Sequence, residues 1–226
     1  MRNIKKRILS LFLTVVLMLS LVTLSSCNRR FDDEEVEAAA RELLKKAEIL
    51  NQIYYGSGIR YNEEDGNGYY YRADADHLSE LGFSTVSELR ALTEKTFSTE
   101  YCTNLYTTLL SSLKEDGKVI SVARYYQHTD EESGESYIMV YSKFERMLKD
   151  SIVYDYNSVK AQKSKKKTVF VSVNATVTNS EGKSQTITLT VNLIEQEDGW
   201  KICNPTYANY NELKDRYDEL KDQKFN

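Results

Sequence analysis

Three hydrophobic rhythms follow one another along the 226-residue chain. The first is almost unbroken: Ile8 to Leu21 is apolar except at Ser10, Thr14 and Ser20, behind a basic start at Arg2, Lys5, Lys6 and Arg7. It falls short of the roughly 20 uninterrupted apolar residues that a spanning helix needs, and it runs out into polar residues. The second rhythm is helical. Val36, Ala40, Leu43, Ala47, Leu50 and Tyr54 recur at steps of four and three, one apolar stripe on an otherwise polar helix. Asp32 or Asp33 can cap it, Glu34 and Glu35 suit its positive end, and Gly56-Ser57-Gly58 stops it.

An acidic, glycine-bearing loop is expected next, Asn62-Glu63-Glu64-Asp65-Gly66-Asn67-Gly68, then a short extended run at Tyr69-Tyr70-Tyr71. Thr85-Val86-Ser87-Glu88 is a capping box that opens a second helix, with Val86, Leu89 and Leu92 on its inner face. A third starts at Phe97-Ser98: Ser98 caps, Phe97 staples onto Cys102, and Leu105, Leu109 and Leu113 continue the stripe to Asp116-Gly117.

The third rhythm has period two. Val119 to Gln127 reads as a strand, turned at Glu131-Glu132-Ser133-Gly134 into Tyr137 to Tyr141. Residues 142–150 carry no clear period, Ile152 to Val159 is a further strand, and Lys163 to Lys167 forms a polar corner. Val169, Val171, Val173, Ala175 and Val177 then alternate with Phe170 and polar residues. Ile187, Leu189, Val191 and Leu193 repeat the pattern, and Glu197-Asp198-Gly199 turns into Trp200 to Cys203. These are strands of an antiparallel meander with one buried face. Pro205 ends it, and residues 208–222 form a charged helix with Tyr210, Leu213, Tyr217 and Leu220 on one side. The fold class is α+β: N-terminal helices packed on a curved, cone-like antiparallel sheet, with a C-terminal helix.

Behind the first apolar run stands Leu24-Ser25-Ser26-Cys27, an aliphatic residue, two small ones and a cysteine. With the basic flank and the apolar run it resembles the lipobox of bacterial lipoproteins. The peptidase needs small side chains beside the scissile bond, and lipidation needs a thiol at the new amino terminus. The resemblance implies a signal peptide over residues 1–26, a lipidated Cys27 with a short tether to residue 33, and one α+β domain over 34–226. The protein would sit at the outer face of the bacterial cytoplasmic membrane, partnered with the membrane through the lipid on Cys27. Arg29 and Arg30 would lie at the head groups.

Charge then narrows the partners. Losing residues 1–26 removes four of the 30 basic residues and none of the 34 acidic ones, so the net charge moves from −4 to −8. Nucleic acid needs a basic footprint and is excluded as a partner. One proline, nine glycines and 17 tyrosines describe a folded module, not a disordered spacer.

Catalytic chemistry is not legible. His77 follows Asp74-Ala75-Asp76, and His128 ends a strand; neither adjoins a nucleophile signature. Asp74, Asp76 and His77 form a group too sparse for a metal site and read as a solvated turn, so neither a metal nor another cofactor is expected. The lysines at 163–167 read as a solvated strand end. With Cys27 lipidated, Cys102 and Cys203 are left either as a disulfide or as two packed free thiols. The tyrosines sit either at helix–sheet seams or on a recognition surface for protein or glycan.

Two further resemblances concern the whole domain. Asp198-Gly199-Trp200-Lys201-Ile202, after helices and a long sheet, resembles the closing strand of the SnoaL and ketosteroid-isomerase cone fold. That would make the chain a ligand-binding or structural envelope lipoprotein. The stretch Tyr54-Tyr55-Gly56, Tyr71-Arg72, Phe83 to Leu89 and Thr96-Phe97-Ser98, with the same closing strand, resembles the IseA-type inhibitors of cell-wall DL-endopeptidases. This implies a non-enzymatic protein whose partner is a cell-wall hydrolase. Glu63, Glu64 and Asp65 are the partner-binding candidates, on charge complementarity alone.

Overall fold

The computed structural model describes residues 31–206 except 112, 116, 117, 145, 147, 149, 166 and 180. The apolar leader, Cys27 and the expected helix at 208–222 therefore lie outside the described residues. Helix α1 (Asp33–Tyr54) begins where its sequence signals place it: Asp32 caps it, accepting from the Glu34 amide at 2.9 Å. Its apolar stripe is buried from Val36 to Tyr54, widened by Leu44 and Ile53. Each of its valine, leucine and isoleucine side chains stabilises the fold by about 1.5–3 kcal/mol on burial.

The surface that receives α1 is a four-stranded antiparallel sheet of β7 (Ser151–Lys165), β8 (Thr168–Thr178), β9 (Ser184–Gln196) and β10 (Gly199–Ile202), in the order β10-β9-β8-β7. Val169, Val171 and Val173 face Leu193, Val191 and Leu189 across the β8–β9 ladder, and all six are buried in one core with α1. Register breaks in β7 between Asp155 and Lys160, and between Ala161 and Ser164, let the sheet curl into a half-barrel around the helix. The result is the α+β, cone-like architecture expected from the element order.

A second antiparallel sheet is built from β1 (Tyr61–Gly66), β2 (Tyr70–Ala73), β5 (Tyr125–Thr129) and β6 (Ser136–Tyr141), in the order β1-β2-β6-β5. Short helices connect it to the rest: α2 (Ala75–Leu81), α3 (Val86–Thr96) and α4 (Thr99–Leu109). The Thr85–Glu88 capping box is present in full at α3. Ser98 caps α4, and its own amide donates to the Ile202 carbonyl at 2.8 Å, tying the helix start to β10.

Four expectations need correcting. Residues 62–66 are not a loop but most of β1, an edge strand whose side chains from Asn62 to Asp65 all face solvent. With both faces wet there is no alternation to read. Leu113 does not continue a helical stripe: α4 ends at Leu109, and Leu113 opens β3 (Leu113–Glu115), which pairs with β4 (Lys118–Ser121). The expected strand 119–127 is two strands, β4 and β5, broken around a buried Arg124. Asp74 is no solvated turn residue but the N-cap of α2, accepting from the His77 amide at 2.8 Å.

Candidate functional site

The pairing register of the second sheet sorts its residues into two unlike faces. Antiparallel partners share a face and neighbours along a strand alternate. Tyr71, Tyr125 and Val140 line up on the inner face; Tyr125 and Val140 belong to the main core with Ile138. The other face carries Tyr70, Arg72, Tyr126, His128, Tyr137, Met139 and Tyr141.

That outer face is one connected aromatic layer. Tyr70 packs edge-on to Tyr126 with centroids 4.9 Å apart, and lies 5.2 Å from Tyr141. His128 bridges Tyr126 at 6.4 Å and Tyr137 at 5.1 Å, and the Arg72 guanidinium stacks 4.3 Å over Tyr137 while pairing with Glu135. Met139 lies between Arg72 and Tyr126 and is buried, yet it is outside the main core cluster. Its cover is the aromatic layer itself. The layer is half-buried: loss of water, reinforced by neighbouring phenols, pushes the Tyr70 and Tyr126 hydroxyls above their ordinary value. Tyr70 is further fixed by donating to the Ala123 carbonyl at 2.7 Å.

Paired directly with β2 at the edge of the same sheet is β1. Glu63, Glu64 and Asp65 are exposed, and among the described residues none of them enters an ion pair. The sheet thus offers an aromatic face bordered by an uncompensated acidic edge. Such a surface can bury rings against a partner and attract a basic one.

The remaining candidates are dispersed. Cys27 lies outside the described residues. Cys102 is buried on α4 and Cys203 half-buried beyond β10; both are free, with Sγ donating to the Phe97 and Asn192 carbonyls at 3.6 and 3.3 Å. His77 accepts from the Arg60 amide through Nδ1, and its partial burial, with Arg60 nearby, lowers its proton affinity. Among the described residues no cluster of His, Cys, Asp and Glu could hold a metal ion, and no helix is long and apolar enough to cross a membrane.

Reasoning from sequence missed the aromatic face as a unit, because Tyr70, Tyr126, Tyr137 and Tyr141 meet only through strand register. It also missed two buried cations, Arg124 and Lys201, each 3 % exposed. No protein-family model matches the chain, and no curated protein matches its sequence.

Proposed function

We propose that the chain is a lipoprotein held through Cys27 at the outer face of a bacterial cytoplasmic membrane, where it acts by binding another envelope protein. The partner is a peptidoglycan DL-endopeptidase, whose activity it inhibits without chemistry of its own. The observation that carries the reading is the aromatic face of the second sheet beside the unpaired acidic edge of β1. Half-buried tyrosines supply large contact area at little conformational cost, and they are favoured at the centres of protein interfaces. The acidic edge complements a basic cleft and leaves strand backbone open to a partner. The lipobox and the IseA-like stretch supply the location and the partner class.

A ligand-binding cone-fold protein is the alternative. Its cavity would lie on the concave side of the curled sheet. That side carries the α1 stripe, with Val36, Ala40, Leu44, Ala47 and Leu50 packed at 0 % exposure, so this reading has less to support it.

The test adds purified residues 28–226 to peptidoglycan digestion by NlpC-type hydrolases of the same envelope. Inhibition at micromolar concentration or below is expected. Full hydrolase activity in the presence of the protein, across several such enzymes, overturns the proposal.

A further inference from the structure

Arg124 sits in the bend between β4 and β5, with its backbone held from both sides. Its amide donates to the Leu109 carbonyl at 2.7 Å, and its carbonyl accepts from the Tyr141 amide at 2.9 Å. The side chain is 3 % exposed. Nη2 donates to the Gly56 carbonyl at 2.8 Å, but Nε and Nη1 are buried with no acceptor among the described residues. The Phe144 ring lies against the group, its centroid 4.1 Å from Cζ, and Tyr125 flanks it at 5.4 Å. Gly58 completes the slot: at φ +79° it takes a conformation that suits glycine, and a Cβ there would lie 2.3 Å from Nη2 and 2.7 Å from the Tyr125 hydroxyl.

A guanidinium cannot shed its proton to escape burial, as a lysine can. Water could satisfy its donors but would leave the charge uncompensated. Among the described residues no carboxylate pairs with it. The described neighbours that form the slot, Gly56, Gly58, Tyr125 and Phe144, are uncharged. The exposed Arg146 adds a second positive charge to the field at Arg124, which strengthens the demand for an anion. The planar donors of a guanidinium match a carboxylate.

We propose that Arg124 is the cation of a receptor site for a single carboxylate, carried by a small organic acid or by the free C-terminus of a peptide. Phe144 roofs the site, and the Gly56–Gly58 break shapes its floor. This assignment stands apart from the reading of the tyrosine face.

The test follows the Arg124 Nε–Hε resonance of the isotope-labelled protein, residues 28–226, at constant ionic strength. Acetate, N-acetyl-alanyl-alanine and the C-terminal amide of that dipeptide are titrated separately. A saturable shift with the acids and none with the amide is expected. Dipeptide binding about ten-fold tighter than acetate identifies a peptide terminus, and equal binding identifies a small acid. Arg124→Lys keeps the charge without the planar donors and should weaken binding by about ten-fold or more. Phe144→Ala should leave saturable binding in place with faster exchange. No saturable shift in either the wild type or Phe144→Ala overturns the proposal.

Discussion

Lys201 Nζ, on a side chain 3 % exposed, donates to Asp198 Oδ2 at 2.7 Å and to the Glu94 carbonyl at 2.8 Å. The Asp-Gly-Trp-Lys-Ile closing turn is therefore pinned from within by a buried ammonium whose counter-ion lies at the surface. The hydrogen bond from Lys201 holds the Asp198 carboxyl below its ordinary value of 3.8, against a smaller opposing effect of desolvation. A carboxyl depressed in the folded state adds stability that is present above its unfolded value and is lost as pH falls through the folded one. Urea midpoints should thus drop below about pH 4 in the wild type, with a weaker drop in Asp198→Asn. Asp198→Asn should also be the less stable protein at neutral pH, because it strands the ammonium. Lys201→Met, which removes the charge and keeps the volume, should cost less than Asp198→Asn. The opposite ranking would show that the pair does not hold the turn.

Tyr54 closes the core end of α1. Its hydroxyl lies 2.7 Å from Thr93 Oγ1, which gives its own hydrogen to the Leu89 carbonyl at 2.7 Å. Tyr54 is therefore the donor between the two. Tyr54→Phe should cost about 1 kcal/mol, the net worth of one buried hydrogen bond. Tyr54→Ala should cost about 3–5 kcal/mol through the cavity it leaves. Denaturant titration of the three proteins checks both values.

The thiols offer a test of packing. Burial pushes the Cys102 thiol up to about 11 and raises that of Cys203 as well. Neither is a thiolate near neutral pH, so iodoacetamide should modify the native protein slowly, Cys203 first because it is less covered. In denaturant without reductant, residues 28–226 should gain two adducts by mass, one at each free thiol. A protein that gains none would contain a disulfide instead.

How much of this was legible in the sequence depends on where periodicity survives. The α1 stripe and the alternation of β8 and β9 stood out because one face of each meets a core. The capping box at Thr85 was local chemistry and needed no tertiary information. Glu63 to Asp65 look like a loop in sequence because an edge strand wet on both faces loses its alternation. Arg124 and Lys201 are hidden by the default that cations lie outside. The tyrosine face was invisible for a different reason. Its members come from three strands, and the pairing that assembles them is set by the fold, not by spacing along the chain.

Lipid attachment makes a separate expectation. Leu24 to Cys27 resembles a lipobox, so under the proposed anchoring Cys27→Ala should abolish incorporation of labelled palmitate and leave the precursor uncleaved by the lipoprotein peptidase. Labelling of that variant at the wild-type level would remove the membrane anchor from the account.

The binding surface gives the last expectation. Tyr126 and Tyr137 lie outside the main core cluster, so their truncation should leave the fold intact, with a modest drop in urea midpoint from the lost ring packing and the uncovered Met139. If the aromatic layer is the centre of the interface, Tyr126→Ala or Tyr137→Ala should each weaken hydrolase binding by about 2 kcal/mol, mainly through faster dissociation. The acidic edge should behave differently. Neutralising it as Glu63→Gln, Glu64→Gln and Asp65→Asn together should slow association and leave dissociation nearly unchanged, because exposed charges steer encounter more than they hold a complex. Raising salt from about 10 to about 150 mM should slow wild-type association and have little effect on the triple variant, since screening removes what the substitutions have already removed. Surface plasmon resonance with an immobilised hydrolase separates the two rates. Tyrosine variants that bind as the wild type does would move the interface off this sheet, whatever the salt dependence.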